Sequence, residues 1–322
     1  MSKILVTGGA GFIGYHTTKK FLELNNQVVA IDNINDYYDI SLKEARINEL
    51  NKYPNFKFCK IDITNYKSLE EIFSKEQMNT VIHLAAQAGV GYSFKNPMIF
   101  KDTNISGTFN LLELTKKYGV KNFIFASSSS VYGNSTKESL EEIDSTDHPI
   151  SLYGATKSTG ELLTHYYHKT FDINTNIFRF FSVYGPWGRP DMVMFKFIKS
   201  ILAGKPIDVY NFGNHQRSFT YIDDIVEGII KAISLEQKNP KFEIINLGNS
   251  QLIELEYLIS LIENELNVKS IKNYLPLQNG DIIRNYPNIN KAKQILNWQP
   301  KTPVEEGIPI LIKWYKDYYK TK

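Results

Sequence analysis

A chain of 322 residues, 42% apolar and 22% charged, is long enough for one α/β unit carrying an additional lobe and has none of the composition of a disordered or low-complexity protein. A formal net charge of +3, with basic residues spread along the chain, gives no nucleic-acid footprint. No apolar run reaches the ~20 residues that cross a bilayer, and Lys3-Ile4-Leu5-Val6-Thr7 runs too soon into glycines for a signal peptide, so cytoplasmic residence without a membrane partner is expected.

The first β-rich run, Ile4–Thr7, leads into Thr7-Gly8-Gly9-Ala10-Gly11-Phe12-Ile13-Gly14, which opens a helical pattern over Phe12–Leu24. In that setting Gly8 permits a tight turn, Gly11 lets the backbone approach a pyrophosphate, and Gly14 lets helix and strand pack. The helix N-terminus that begins Phe12-Ile13 offers free N–H groups to the phosphates. Asp32 ends the next predicted strand, Gln27–Asp32, 18 residues after Gly14. A carboxylate there accepts hydrogen bonds from an adenosine ribose and repels a 2′-phosphate. Asn33, and no basic residue, follows it, so NAD is expected rather than NADP, with Asp32 and Asn33 both among its ligands. A P-loop is excluded because no Gly-Lys-Ser/Thr is present. A glycine-rich turn in a protein that binds no nucleotide is the bland alternative.

Further predicted strands at Phe56–Asp62, Thr80–Leu84, Asn122–Ser127 and Thr175–Phe180 alternate with helices over roughly Leu69–Glu76, Asp102–Tyr118 and Leu152–Lys169. This alternation specifies a parallel, doubly wound α/β sheet. Cys59, the only cysteine, excludes an internal disulfide and a cysteine-based zinc cage, and its apolar setting predicts a buried structural thiol. Beyond about residue 184, loops at Gly185–Pro190, Gly204-Lys205-Pro206 and Gly213-Asn214 loosen the rhythm and predict a second, interleaved lobe. Val304–Tyr319 would place Leu311, Trp314, Tyr315 and Tyr318 on one helix face, with Pro309 setting the helix start. The expected architecture is a Rossmann-like doubly wound parallel sheet with a smaller, interleaved α/β substrate-binding lobe.

Ser128 ends the fifth predicted strand, and Tyr153 and Lys157 stand one turn apart on the helix that follows. A free phenol titrates near ~10, and a neighbouring ammonium favours its ionised form. A Tyr-x-x-x-Lys pair is ordinary surface patterning by itself; behind an NAD motif it becomes a candidate proton-transfer pair. His165 and His168 share a helix face without a third ligand, so no metal is expected. His83 is expected to pack at a strand end, and Asp223-Asp224 to begin a helix.

These motifs resemble those of the extended short-chain dehydrogenases/reductases that act on nucleotide sugars. Within that family the chain is most similar to the UDP-glucuronate 4-epimerases, through Asp32-Asn33-x-Asn35-Asp36-Tyr37-Tyr38-Asp39, Ala85-Ala86-Gln87-Ala88-Gly89-Val90, Ser127–Gly133, Tyr184–Met192 and Phe219–Val226. Gly91 stands where that subgroup usually has arginine, and Ser182 where it usually has threonine. The resemblance implies a UDP-sugar partner, a homodimer built on the Asp102–Tyr118 and Leu152–Lys169 helices, and a place in polysaccharide biosynthesis. Residues 1–184 would bind NAD, with 219–250 returning to that domain, and 185–322 would mainly hold the nucleotide sugar.

In the chemistry so implied, Tyr153 removes the proton from the sugar 4-hydroxyl, Ser128 orients that hydroxyl, and C4 is oxidised and then re-reduced from its other face. Lys157 would also bind the nicotinamide ribose, Asp62 and Ile63 flank the adenine, and Leu84-Ala85-Ala86 line the cofactor channel. Ser129, Ser130 and Ser182 would hydrogen-bond a C6 carboxylate, with Arg189 adding longer-range positive charge. Arg217 would meet the UDP phosphates and Asp281 a ribose hydroxyl; both are otherwise solvated loop charges. Ser129-Ser130 replaces the Asp-Glu of related 4,6-dehydratases, and the glutamate of related decarboxylases is also missing. A UDP-N-acetylhexosamine, or its uronate, is the alternative substrate, and a non-catalytic NAD sensor the alternative of another class.

Overall fold

The computed structural model describes residues 2–234, 241–277 and 284–321. Strands β1 (Lys3–Thr7), β2 (Gln27–Asp32), β3 (Phe56–Lys60), β4 (Thr80–His83), β5 (Asn122–Ser128) and β6 (Asn174–Phe180) join a later strand, Phe242–Leu247, in one parallel sheet. The spatial order is Phe242–Leu247, β6, β5, β4, β1, β2, β3. The chain therefore winds outward from β1 in one direction and then returns to wind in the other, opening a crevice at the strand carboxyl ends between β1 and β4. Helices cover both faces of such a sheet, so its central strands read as unbroken apolar runs. Leu5, Val6, Val29, Ala30, Val81, Ile82, Phe123, Ile124 and Phe125 are all buried.

β3 is the edge strand, with a neighbour on one side only, and its residues are half-buried or exposed. Cys59 is accordingly half-buried rather than the buried thiol its apolar neighbours suggested.

Helix Leu152–Phe171 is capped by Ser151, whose Oγ accepts from the Gly154 amide at 3.0 Å. It lies directly on β5: a Cβ at Gly160 would stand 2.3 Å from Cζ of Phe125. The expected Asp102–Tyr118 helix is instead a π-helical turn, Lys101–Gly107, running into Thr108–Lys117. Inside that turn the buried Asn104 side chain accepts from the Gln87 amide (2.8 Å) and donates to the Gln87 carbonyl (3.0 Å) and Thr156 Oγ (2.9 Å). These tertiary bonds hold the widened turn, which local propensity does not predict.

Beyond β6, Ser182–Tyr184 pairs in parallel with Phe219–Tyr221, and Ile253–Glu254, Gln216–Arg217 and Arg284–Asn285 form a further small sheet. One hydrophobic core runs continuously from Ile4 and Val6 of β1 to Trp298 and Leu311. The last helix spans Val304–Tyr319 with Pro309 inside it, so it does not start at the proline. Pro309 removes one intrahelical bond near the first turn. The buried row Val304, Ile308, Leu311, Ile312 and Tyr315 offsets that loss. Asp223 and Asp224 stand in the first turn of Ile222–Ser234, as the sequence led us to expect.

A buried ion pair ties the catalytic-side helix to β6. Arg179 donates from Nε and Nη2 to the two Glu161 oxygens at 2.9 and 2.7 Å, and Ser127 Oγ donates to the same carboxylate. Arg179→Met strands the Glu161 charge in the interior, and we expect a loss of about 3–5 kcal/mol in urea unfolding. Lys52→Ala, which breaks the exposed Lys52–Glu49 pair, should change stability by less than about 1 kcal/mol.

Candidate active site

The turn after β1 is built with no space to spare. Gly8 has φ +71°, and a Cβ at Gly14 would lie 2.0 Å from the Gly8 carbonyl oxygen. The Gly8 and Gly9 amides donate to Ile31 O at 2.8 and 3.1 Å, fixing the turn against β2. Helix Phe12–Glu23 starts at Gly11 with no side-chain cap, which leaves its first N–H groups for a ligand. At the end of β2, Asp32 accepts from the Ala10 amide (3.2 Å) and the Ile34 amide (2.9 Å). Its remaining lone pairs are available to hydroxyl donors. Burial raises its carboxyl above the usual range. Asn33 donates to Asp62 at 2.8 Å, so the two sequence candidates form one unit across the β2 and β3 ends. A bare glycine cradle, an uncapped helix start and a carboxylate at the next strand end fit a dinucleotide.

A single cavity of about 440 Å³ follows the carboxyl ends of six adjacent strands. Gly8, Gly11, Phe12, Ile13, Gly14, Asp32, Asn33, Asp62, Ile63, Leu84, Ala85 and Ala86 line it, together with Ser128, Ser129, Ser130, Tyr153, Lys157, Ser182 and Arg189. Arg217, on the short strand Gln216–Arg217, is not part of its wall. Asp281 lies outside the described residues. Gly91 is an exposed residue in the first turn of the short helix Val90–Lys95, next to Val90 of the cavity wall, with nothing within 4 Å of the position of a Cβ.

Ser128 Oγ accepts from the Ser130 amide at 3.1 Å and donates to Ser130 Oγ at 3.2 Å, which places the three serines on one tight turn after β5. The Tyr153 phenol is raised by burial, with a hydrogen bond to Ser128 and the charge of Arg189 pulling it back down. The expected depression by Lys157 is not what this geometry produces. Lys157 Nζ donates to the Ala126 carbonyl at 2.7 Å and lies 5.1 Å from the centre of the Phe125 ring. Burial pushes the Lys157 ammonium down to about 7, opposed by Glu161 one turn further on. Arg189, which no local spacing links to Tyr153, adds a smaller downward pull.

Arg189 forms a two-point pair with Asp191 at 2.9 and 2.7 Å, and Tyr37 donates to the same carboxylate at 3.2 Å. Burial is the largest influence and opposes the Asp191 charge, but Arg189, the Tyr37 hydroxyl and a backbone amide together hold the carboxyl below its usual range. Sequence reasoning missed Lys43, which lines the cavity and donates to Asn35 O and Oδ1 at 2.7 Å. It stands on helix Ile40–Leu50, outside every motif, and only its following the Asp32–Asp39 run could have pointed to it. His83 is buried between Thr7 Oγ (2.8 Å) and Thr108 Oγ (2.9 Å); burial and then Lys157 lower its pKa to about 3, so it is neutral. Among the described residues no three His, Cys, Asp or Glu side chains gather to hold a metal ion, and no helix is long and apolar enough to cross a membrane.

A profile of the NAD dependent epimerase/dehydratase family matches residues 4–248. The chain is 43% identical over 318 residues to a UDP-glucuronate 4-epimerase of Thermodesulfobacterium geofontis, covering 98% of this chain and 97% of that one. It is likewise 43% identical over 333 residues to Protein CapI of Staphylococcus aureus, covering 99% of each. Among solved structures, the UDP-glucuronic acid 4-epimerase of Bacillus cereus in complex with UDP-glucuronic acid and NAD superposes with a TM-score of 0.93. Its identity is 35%, over 98% of this chain and 100% of that one.

The buried Lys157 makes a pH-dependent contribution whose sign is fixed. Its folded value, about 7, lies below the ordinary 10.5, so the unfolded chain binds more protons between them. The penalty is complete below pH ~7 and fades as pH rises toward ~10.5. Lys157→Met should therefore raise the Tm of nucleotide-free protein clearly at about pH 6 and hardly at all near pH 10. Thermal melts of both proteins at the two pH values check it.

Proposed function

Because this chain belongs to the NAD dependent epimerase/dehydratase family, we propose that it interconverts UDP-glucuronate and UDP-galacturonate as an NAD-dependent 4-epimerase. The observation that carries this reading is that one cavity gathers a serine–tyrosine–lysine group, a dinucleotide cradle, three further hydroxyls and Arg189.

Gly8–Gly14, Asp32, Asn33, Asp62, Ile63 and Leu84–Ala86 would hold NAD, which when bound would supply the acceptor and donor of the C4 hydride. Tyr153 takes the proton of the sugar 4-hydroxyl and gives it back after the sugar has turned over. Ser128, beside the phenol in the same cavity, orients that hydroxyl. The Ser128 hydroxyl and the charge of Arg189 offset part of the burial that disfavours the phenolate. Lys157, whose ammonium donates to Ala126 O, would bind the nicotinamide ribose. Ser129, Ser130 and Ser182 are neutral donors, able to hydrogen-bond a carboxylate in both poses of the sugar, where a rigid ion pair would resist the turn. Arg189, its charge largely matched by Asp191, adds attraction without such a lock. No carboxylate replaces Ser129 or Ser130, so the groups a dehydratase needs at C5 and C6 are not at this position.

Residues 1–184 with 219–250 form the NAD-binding domain in this reading, and Phe242–Leu247 in the main sheet supports the return. Arg217 would meet the UDP phosphates in this reading. Met98, Phe109, Leu162 and Tyr166 are exposed apolar side chains on Pro97–Phe100, Thr108–Lys117 and Leu152–Phe171, which supports a homodimer through these helices. Residence is cytoplasmic, in keeping with a single unpaired cysteine.

With a panel of UDP-sugars followed by NMR at C4, kcat/KM for UDP-glucuronate should exceed that for UDP-glucose and UDP-N-acetylglucosamine by at least ~100-fold, the scale of several hydrogen bonds to a charged group. The product should be a hexuronate that keeps its carboxylate; a pentose product in bulk would reject the assignment. Tyr153→Phe should lower turnover by roughly 10²–10⁴ with NAD still bound, as for loss of a general base.

A further inference from the structure

Arg46, on helix Ile40–Leu50, is fully buried, and among the described residues no carboxylate pairs with it. Its donors go instead to neutral oxygens on three separate segments. Nη1 donates to the Ala10 carbonyl and the Tyr38 hydroxyl, both at 2.8 Å. Nη2 donates to the Trp187 carbonyl at 2.5 Å and the Gly188 carbonyl at 3.2 Å. Nε is buried without a partner. Asp32 acts on it only through its charge, without a direct contact; a buried cation so incompletely paired is expensive, and an apolar side chain would fill the same volume at lower cost if filling were all that was required.

The acceptors explain the expense. Ala10 belongs to the glycine-rich turn, between the Gly8 bend and the uncapped helix start. Trp187 and Gly188 precede Arg189, which lines the same cavity as Tyr153 and pairs there with Asp191. Trp187 has φ +59°, a conformation that side-chain-bearing residues avoid unless their surroundings impose it. The surroundings here are Arg46 on its carbonyl, His16 hydrogen-bonded to Pro186 O at 2.9 Å, and Tyr15, Trp314 and Tyr318 packed around its ring. Arg46 is the one side chain that bonds both the glycine-rich turn and this strained bend.

We propose that Arg46 is a positioning residue that ties the glycine-rich turn to the Trp187–Arg189 bend, so that Arg189 is held in register with the cofactor cradle. The inference rests on the UDP-uronate reading for its functional consequence and on the geometry above for its structural one. Arg46 touches neither substrate nor cofactor, since it does not line the cavity. Its loss should act through Arg189, on the uronate group, and spare the nucleotide.

The test compares wild-type holoenzyme with Arg46→Met, Arg46→Lys and Tyr38→Phe, using UDP-glucuronate, UDP-glucose and UDP itself. In Arg46→Met, KM for UDP-glucuronate should rise at least ~10-fold with a fall in kcat, while the affinity for UDP stays within about twofold. Arg46→Lys, which keeps the charge but loses the fork, should recover part of the effect, and Tyr38→Phe should show a smaller loss in the same direction. Hydrogen exchange at residues 185–192 should accelerate in Arg46→Met together with residues 8–14, while β5 stays protected. If Arg46→Met does not fold, the lysine and Tyr38→Phe proteins carry the same comparison. Equal losses for UDP and UDP-glucuronate, or unchanged exchange at 185–192, would overturn the proposal by reducing Arg46 to general scaffold. A wild type that ignores UDP-glucuronate defeats the substrate reading alone, and the exchange result then decides the role of Arg46.

Discussion

The contact on which this structure depends is the approach of the first helix to the first turn, where the Cα of Gly14 sits against the carbonyl of Gly8. A Cβ there would stand 2.0 Å from that oxygen. No relaxation of a side chain can relieve the clash, because both partners are main chain. Given that contact, the first helix points its free amides over the end of β1, and β2 sets Asp32 beside them. The same helix then presents His16 and Tyr15 to the bend at Pro186–Trp187. Cofactor cradle and substrate-side bend thus share one support.

A second close approach sets the reactive group. Gly160 lets helix Leu152–Phe171 settle on Phe125 of β5, and the serines after β5 meet Tyr153 at the start of that helix. The side chain of Lys157 is thereby driven into the interior, where it donates to a carbonyl and Glu161 acts on it only through its charge. Burial weakens the proton affinity of this ammonium and also disfavours the Tyr153 phenolate. Both shifts favour neutral forms, as low dielectric requires. Charge must come from outside the pair, and Arg189 is the group of this chain positioned to supply it.

Buried cations in this molecule are handled in three different ways. Arg179 has a full carboxylate partner in Glu161 and serves to join helix and sheet. Arg189 has Asp191, with Tyr37 bridging to the loop after β2. Arg46 has only carbonyls and a phenol.

Much of this was legible in order along the chain, because the relevant signals are local. Strand and helix periodicity, the glycine spacing, Asp32 at a strand end and the Tyr153–Lys157 repeat all depend on residues within one or two elements of each other. They determined the doubly wound sheet, the cofactor cradle and the serine–tyrosine–lysine group. What they could not contain was set by contacts across long separations. The π turn at Lys101–Gly107 is held by Asn104 bonding to Gln87 and Thr156. The last helix passes through Pro309 because its buried face outweighs one lost bond. Cys59 is half-buried because β3 is an edge, a property of sheet order and not of its neighbours in sequence. Arg189 reaches Tyr153, and Arg46 reaches Trp187, across 36 and 141 positions of chain respectively. Electrostatics and burial depend on distance in space, and only the folded chain brings such residues together.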